Sequence, residues 1–200
     1  MTALRTGTGK IRQIGYGLLL SALLAVGGLS LGVREAAAAN LMYSFKIGNW
    51  TGQAYRFSDS GRFSHCVAYT RYNSGITLYF FINTTAVWTM GFSKPDWNVA
   101  IGQTFPVRYQ IDRGPVYRGT AKGATRTMAR VTIPTNVRLF QQFRRGRILN
   151  VETPDKKVLG FKLTTTNEML RRLLACAIRN KRRESPDDNP FRKKGNNPFG

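Results

Sequence analysis

Short stretches in which apolar residues alternate with polar ones recur along most of this chain. Phe45 and Ile47 alternate with polar neighbours ahead of Trp50, and Phe63, His65, Val67 and Tyr69 alternate with Ser64, Cys66 and Ala68. A period of two is the mark of a strand, whose successive side chains point to opposite faces of a sheet. Residues 74–83 hold Ile76, Leu78, Tyr79, Phe80, Phe81 and Ile82, apolar enough for a strand buried on both faces. Further strands are predicted over 86–92, 105–111, 116–121, 127–133, 147–153 and 157–163, and the strand over 105–111 ends at the turn sequence Asp112-Arg113-Gly114-Pro115. About nine short strands at this spacing predict a mainly β fold, a β-sandwich or a partly closed barrel.

Two segments switch to helical period. After Pro134, Thr135 is placed to cap a short helix whose apolar side is Val137, Leu139, Phe140 and Phe143, with Gly146 to end it. Thr165 and Glu168 have capping-box spacing ahead of a C-terminal amphipathic helix running to about Arg179. Its stripe of Met169, Leu170, Leu173, Leu174 and Ala177 has Cys176 at the edge, which turns that cysteine toward the sheet.

The ends of the chain read differently. Arg5, Lys10 and Arg12 precede an uncharged run from Ile14 to Val33, and Ala36, Ala37, Ala38 and Ala39 supply an A-x-A cleavage site. This is the layout of a signal peptide over 1–39, leaving Asn40 as the mature N-terminus. A globular domain is then expected over 40–179. From about Asn180 no apolar period remains, and 180–200 reads as a disordered basic tail containing Asn-Pro-Phe twice, at 189–191 and 197–199. Export places the protein in the periplasm or outside the cell, where Cys66 and Cys176, the only two cysteines, are expected to form a disulfide.

Charge changes the picture most. The chain carries 31 Lys and Arg against ten acidic residues. Residues 1–39 account for four of the basic residues and for Glu35, so the mature chain keeps 27 against nine, a net +18. A field of that sign attracts polyanions. The candidate anion-binding residues are Arg144, Arg145 and Arg147 at the end of the first helix, Arg171 and Arg172 beside the apolar stripe of the second, and Lys181, Arg182 and Arg183 at the start of the tail.

Catalytic chemistry finds little support. His65 is the only histidine, so no metalloprotease or two-histidine metal motif exists within one chain, and no G-x-S-x-G elbow is present. No metal site and no cofactor is predicted. Asp59, Asp96, Asp112, Glu152, Asp155 and Glu168 are scattered, so a hydrolase would need residues converging in space around His65. The reading is a non-catalytic exported module that engages an anionic envelope component (lipid headgroup, lipopolysaccharide or acidic glycan) or an envelope protein, with a small hydrolase centred on His65 as the alternative. No motif for specific nucleic-acid recognition is present.

Four segments carry a resemblance: Phe63-Ser64-His65-Cys66, Trp88-x-Met90-Gly91-Phe92, Phe140-x-x-Phe143-Arg144-Arg145-Gly146-Arg147 and Gly160-Phe161-x-Leu163, followed by a helix ending near Cys176. Between Trp50 and Cys176 the chain resembles an uncharacterised family of exported proteins from Gram-negative bacteria. More distantly its layout is similar to the invasion-associated locus B family of periplasmic proteins, from which it departs in having fewer cysteines and a basic tail. The resemblance implies a periplasmic or surface-associated β-sandwich without known catalysis, and it transfers no site residues.

Overall fold

Residues 39–184 are described in the computed structural model of the chain, so the expected signal-peptide core and the stretch beyond Glu184, with both Asn-Pro-Phe copies, lie outside the described residues. The fold is mainly β. Ten strands form one antiparallel sheet: β1 (Ala39–Ile47), β2 (Trp50–Phe57), β3 (Phe63–Arg71), β4 (Thr77–Asn83), β5 (Trp88–Ser93), β6 (Thr104–Ile111), β7 (Val116–Thr125), β8 (Met128–Ile133), β9 (Ile148–Glu152) and β10 (Val158–Lys162). Their spatial order is β1-β2-β3-β4-β5-β8-β7-β6-β9-β10, with β1 and β10 as the edges among the described residues, so the sheet is single and is not closed into a barrel. Helix α1 (Val137–Arg145) joins β8 to β9, and α2 (Thr166–Glu184) follows β10 and packs back onto β2, β3 and β4 and against α1.

One face of the sheet supplies the core. Leu78, Phe80 and Ile82 of β4, Trp88, Met90 and Phe92 of β5, and Val131 and Ile133 of β8 alternate onto it with Val107, Tyr109 and Ile111 of β6. Leu139 and Phe143 of α1 and Met169, Leu170, Leu173 and Ala177 of α2 cover them. The sheet curls: Phe161 on the edge strand β10 packs against Phe92 of β5 and Tyr72, with ring centroids 5.4 and 5.2 Å apart. Two of the large aromatics spend their polar tips on the backbone, Trp50 Nε1 donating to the Thr164 carbonyl at 3.0 Å and the Tyr72 hydroxyl to that of Lys162 at 2.6 Å. Among the described residues no helix is long and apolar enough to cross a membrane.

The strand that sequence periodicity does not reveal is β2. Its core-facing positions are Trp50, Gly52 and Ala54, two of them too small to register as apolar alternation. Their smallness is structural. A Cβ at position 52 would coincide with the ring of Phe45, the residue paired with Gly52 across the ladder, so the bare glycine lets that ring lie flat on the sheet.

Three helix-end expectations need correction. Asn136, the residue directly before the helix, and not Thr135, caps α1, its side-chain amide oxygen accepting from the Leu139 N–H at 3.1 Å. Thr165 adopts φ 57° and donates its hydroxyl to the Thr164 carbonyl, so it does not close a capping box with Glu168. Finally α2 continues past Arg179 to Glu184. Asn180, expected at the start of a tail, is 1% exposed, and Lys181, Arg182 and Arg183 form the last helical turns, where cations complement the negative end of the helix dipole.

Candidate functional site

Helix α2 is fixed to the sheet at one point covalently and at its neighbours by hydrogen bonds. Cys176 forms a disulfide with Cys66 of β3, as the stripe geometry predicts, with the two Cα atoms 6.3 Å apart. Beside the bridge stands Tyr43 of β1. Its hydroxyl donates to Cys176 Sγ at 3.2 Å and accepts from Arg179 at 2.9 Å and from Asn180 Nδ2 at 3.0 Å. Asn180 Nδ2 also donates to the Cys176 carbonyl at 2.9 Å. One tyrosine thus ties the edge strand to the C-terminal half of α2.

Between β1 and α2, from Arg172 to Arg183, runs a groove of about 560 Å³. Tyr43 and Phe45 of β1 and Ile178 of α2 give it apolar walls; Arg172, Arg179, Arg182 and Arg183 supply its cations. Residues 172, 179 and 183 follow the seven- and four-residue spacing that stacks side chains on one helix face. The Arg172 guanidinium lies 5.8 Å from the centroid of Phe45, and that of Arg179 lies 5.4 Å from Tyr43. Such stacking contributes about 0.5–1 kcal/mol at exposed positions and pre-orients the planar forks that bind phosphate or carboxylate through two hydrogen bonds. Among the described residues the ion pairs are Lys94–Asp96, Arg108–Glu152, Lys156–Glu152 and Lys157–Asp155, so none of the four groove arginines is neutralised by a carboxylate there.

The eight basic residues picked from the sequence therefore do not form one patch. Arg172, Arg182 and Arg183 share the groove, while Arg171 and Lys181 are exposed on α2 outside its lining. The α1 trio is itself divided. Arg144 is half-buried and committed to structure, donating to Asn167 Oδ1 of α2 at 2.9 Å and to Gln141 at 3.2 Å. Arg145 and Arg147 are exposed beside Asp112, whose carboxylate accepts the backbone N–H groups of Arg147 at 3.0 Å and Ile148 at 2.9 Å. The sequence pattern does not single out Arg179, Tyr43, Phe45 or Ile178 as site residues, although Phe45 is legible as part of a strand. The spacing of Arg172, Arg179 and Arg183 holds the signal, once the helix is carried beyond residue 179.

His65 lies elsewhere, on the sheet face opposite the main core. Its ring stacks on Tyr55 with centroids 5.1 Å apart and tilts against Phe81 at 5.9 Å, while Nδ1 shares a 2.9 Å hydrogen bond with Ser64 Oγ. The Arg130 guanidinium lies 4.2 Å over the same Phe81 ring. These neighbours are aromatic, hydroxyl and cationic, so the general base and acid of a hydrolase are not brought together around His65 by the groups that touch it. Burial, helped by the charge of Arg130, holds its pKa down to about 4. The unfolded chain, with a pKa near 6.5, binds the proton first. Stability is therefore fully present above about pH 6.5 and falls as pH drops toward 4. Urea unfolding of the wild type and of His65→Gln between pH 4 and 7 should show this slope only in the wild type; equal slopes would place the histidine in solvent.

No family model and no curated protein matches the chain. Among solved structures it is similar to invasion-associated protein B from Bartonella henselae, with a TM-score of 0.48 and 17% identity, over 69% of this chain and 99% of that one. The chain bears a distant resemblance to that protein, and no functional residue is carried over from it.

Proposed function

We propose that this chain is a non-catalytic, exported envelope module that binds anionic surfaces through the groove between β1 and α2. The observation that carries the reading is four groove arginines, none neutralised by a described carboxylate and two of them, Arg172 and Arg179, held over aromatic rings, on a helix that a disulfide clamps in place. The charge resides in the folded domain. Four of the 31 basic residues precede Ala39 and three follow Glu184, leaving 24 within 39–184; of the ten acids, Glu35, Asp187 and Asp188 lie outside, leaving seven. A disulfide suits an oxidising compartment, which supports export. Nothing in the arrangement selects bases, so the attraction is to charge and not to sequence.

Co-sedimentation with vesicles across a salt series tests the reading. Phosphatidylglycerol vesicles should bind the mature chain at low salt and phosphatidylcholine vesicles should not, with affinity falling as the Debye length shortens to about 8 Å at physiological ionic strength. Each basic residue near an anionic surface contributes about 1 kcal/mol. Replacing Arg172 and Arg183 together by glutamine should therefore weaken binding roughly thirtyfold at low salt. The same change at Arg145 and Arg147 should weaken it less. Equal binding to both vesicle types would sink the proposal, and an equal loss in the two double variants would move the site to the end of α1.

A further inference from the structure

Resting on that reading, we infer that the groove takes one anionic amphiphile at a time, a phosphorylated headgroup bearing an alkyl or acyl chain, rather than serving as a flat cationic patch. A surface built only for polyanions has no use for exposed apolar groups between its cations. Here Ile178 is 45% exposed, and with Ala175 it lies among Arg172, Arg179, Arg182 and Arg183 on the helix face that lines the groove. Phe45 is laid flat by the missing side chain of Gly52, which widens the apolar wall facing Ile178. The polar atom within the groove's wall is already engaged: the Tyr43 hydroxyl donates to Cys176 Sγ and accepts from Arg179 and Asn180. A hydroxyl-rich glycan would find few acceptors there.

What remains is a cationic rim over an apolar trough. Guanidinium forks match a phosphate bidentately, and a trough of about 560 Å³ lies within the range of small-molecule sites. The two halves of the groove complement the two halves of a lipid phosphate.

The test uses the full mature chain and monomeric probes below their micelle concentrations. Titration calorimetry with inorganic phosphate, butyl, hexyl and octyl phosphate, octyl glucoside and heparin separates the contributions. Affinity should rise along the alkyl phosphates by up to about fourfold per methylene buried, at one equivalent per chain, and octyl glucoside should bind far more weakly than octyl phosphate. Ile178→Asn, at a position already largely in solvent, should flatten the chain-length dependence, weakening octyl phosphate binding more than that of inorganic phosphate. Octyl phosphate binding no tighter than inorganic phosphate, with heparin still bound, would overturn the amphiphile site and leave the electrostatic reading standing. Octyl glucoside binding as tightly as octyl phosphate would overturn it as well. Failure of octyl phosphate and heparin alike would remove both proposals.

Discussion

Replacing Cys66 and Cys176 together by alanine is expected to lower the stability of the folded domain by roughly 5 kcal/mol. The bridge closes a loop with a sequence separation of 110 residues. In the chain-entropy description the restriction of the unfolded chain scales with the logarithm of loop length, which gives about 4.8 kcal/mol at this size. Local packing adds to the loss, because the Tyr43 hydroxyl and Asn180 both approach Cys176 Sγ, at 3.2 and 3.7 Å. Domains of this size have about 5–15 kcal/mol in all, so the variant sits near the edge of folding at 37 °C. Urea unfolding should show a lower midpoint and a steeper m value, since the unfolded chain expands once its cross-link is gone. A change below about 1 kcal/mol would mean that the Met169, Leu170 and Leu173 stripe holds α2 on the sheet without covalent help. The groove gives a second readout. Because the bridge sets where α2 lies against β1, vesicle binding should fall in this variant even under conditions where it remains folded.

Much of this fold is legible in the sequence wherever side-chain size and period agree. The dense apolar run from Ile76 to Ile82 marks β4 and the apolar residues Trp88, Met90 and Phe92 mark β5, and the stripe that turns Cys176 inward anticipates its bridge to Cys66. Legibility fails where a buried position is small. Gly52 and Ala54 hide β2, and the phase of β3 that faces the main core is Cys66 and Ala68, while the bulkier His65, Val67 and Tyr69 occupy the opposite face. A helix packing onto β2 and β3 needs that shallow bed. The end of α2 was hidden for a different reason. Asn180-Lys181-Arg182-Arg183 has no apolar residue to extend the helical pattern, yet Asn180 is anchored by Tyr43, 137 positions earlier in the chain. The groove is a product of that same long-range contact, so half of it, the aromatic wall from β1, has no signature near the arginines.

The second large effect expected is at Phe143, where alanine should cost about 3–5 kcal/mol, the range for emptying a fully buried aromatic site. Its side chain has no solvent exposure and its ring centroid lies 5.2 Å from Trp88, 5.5 Å from Phe80 and 6.2 Å from Tyr109. These rings come from β5, β4 and β6, so the cavity opens where α1 meets the middle of the curled sheet, and loss of the ring loosens α1 along with Arg144, its link to Asn167 at the start of α2. Most of the groove lies toward the other end of α2, with Arg179, Arg182 and Arg183, held by the disulfide and by Tyr43. Phe143→Ala should thus lower the urea midpoint strongly while leaving the affinity of the folded fraction for phosphatidylglycerol vesicles within about twofold, since distant sites without shared partners act nearly independently. Measuring both quantities on one preparation separates the two basic regions without altering a single charge. If affinity falls in step with stability, the α1 end with Arg145 and Arg147 is part of the binding surface, and the groove between β1 and α2 does not act alone.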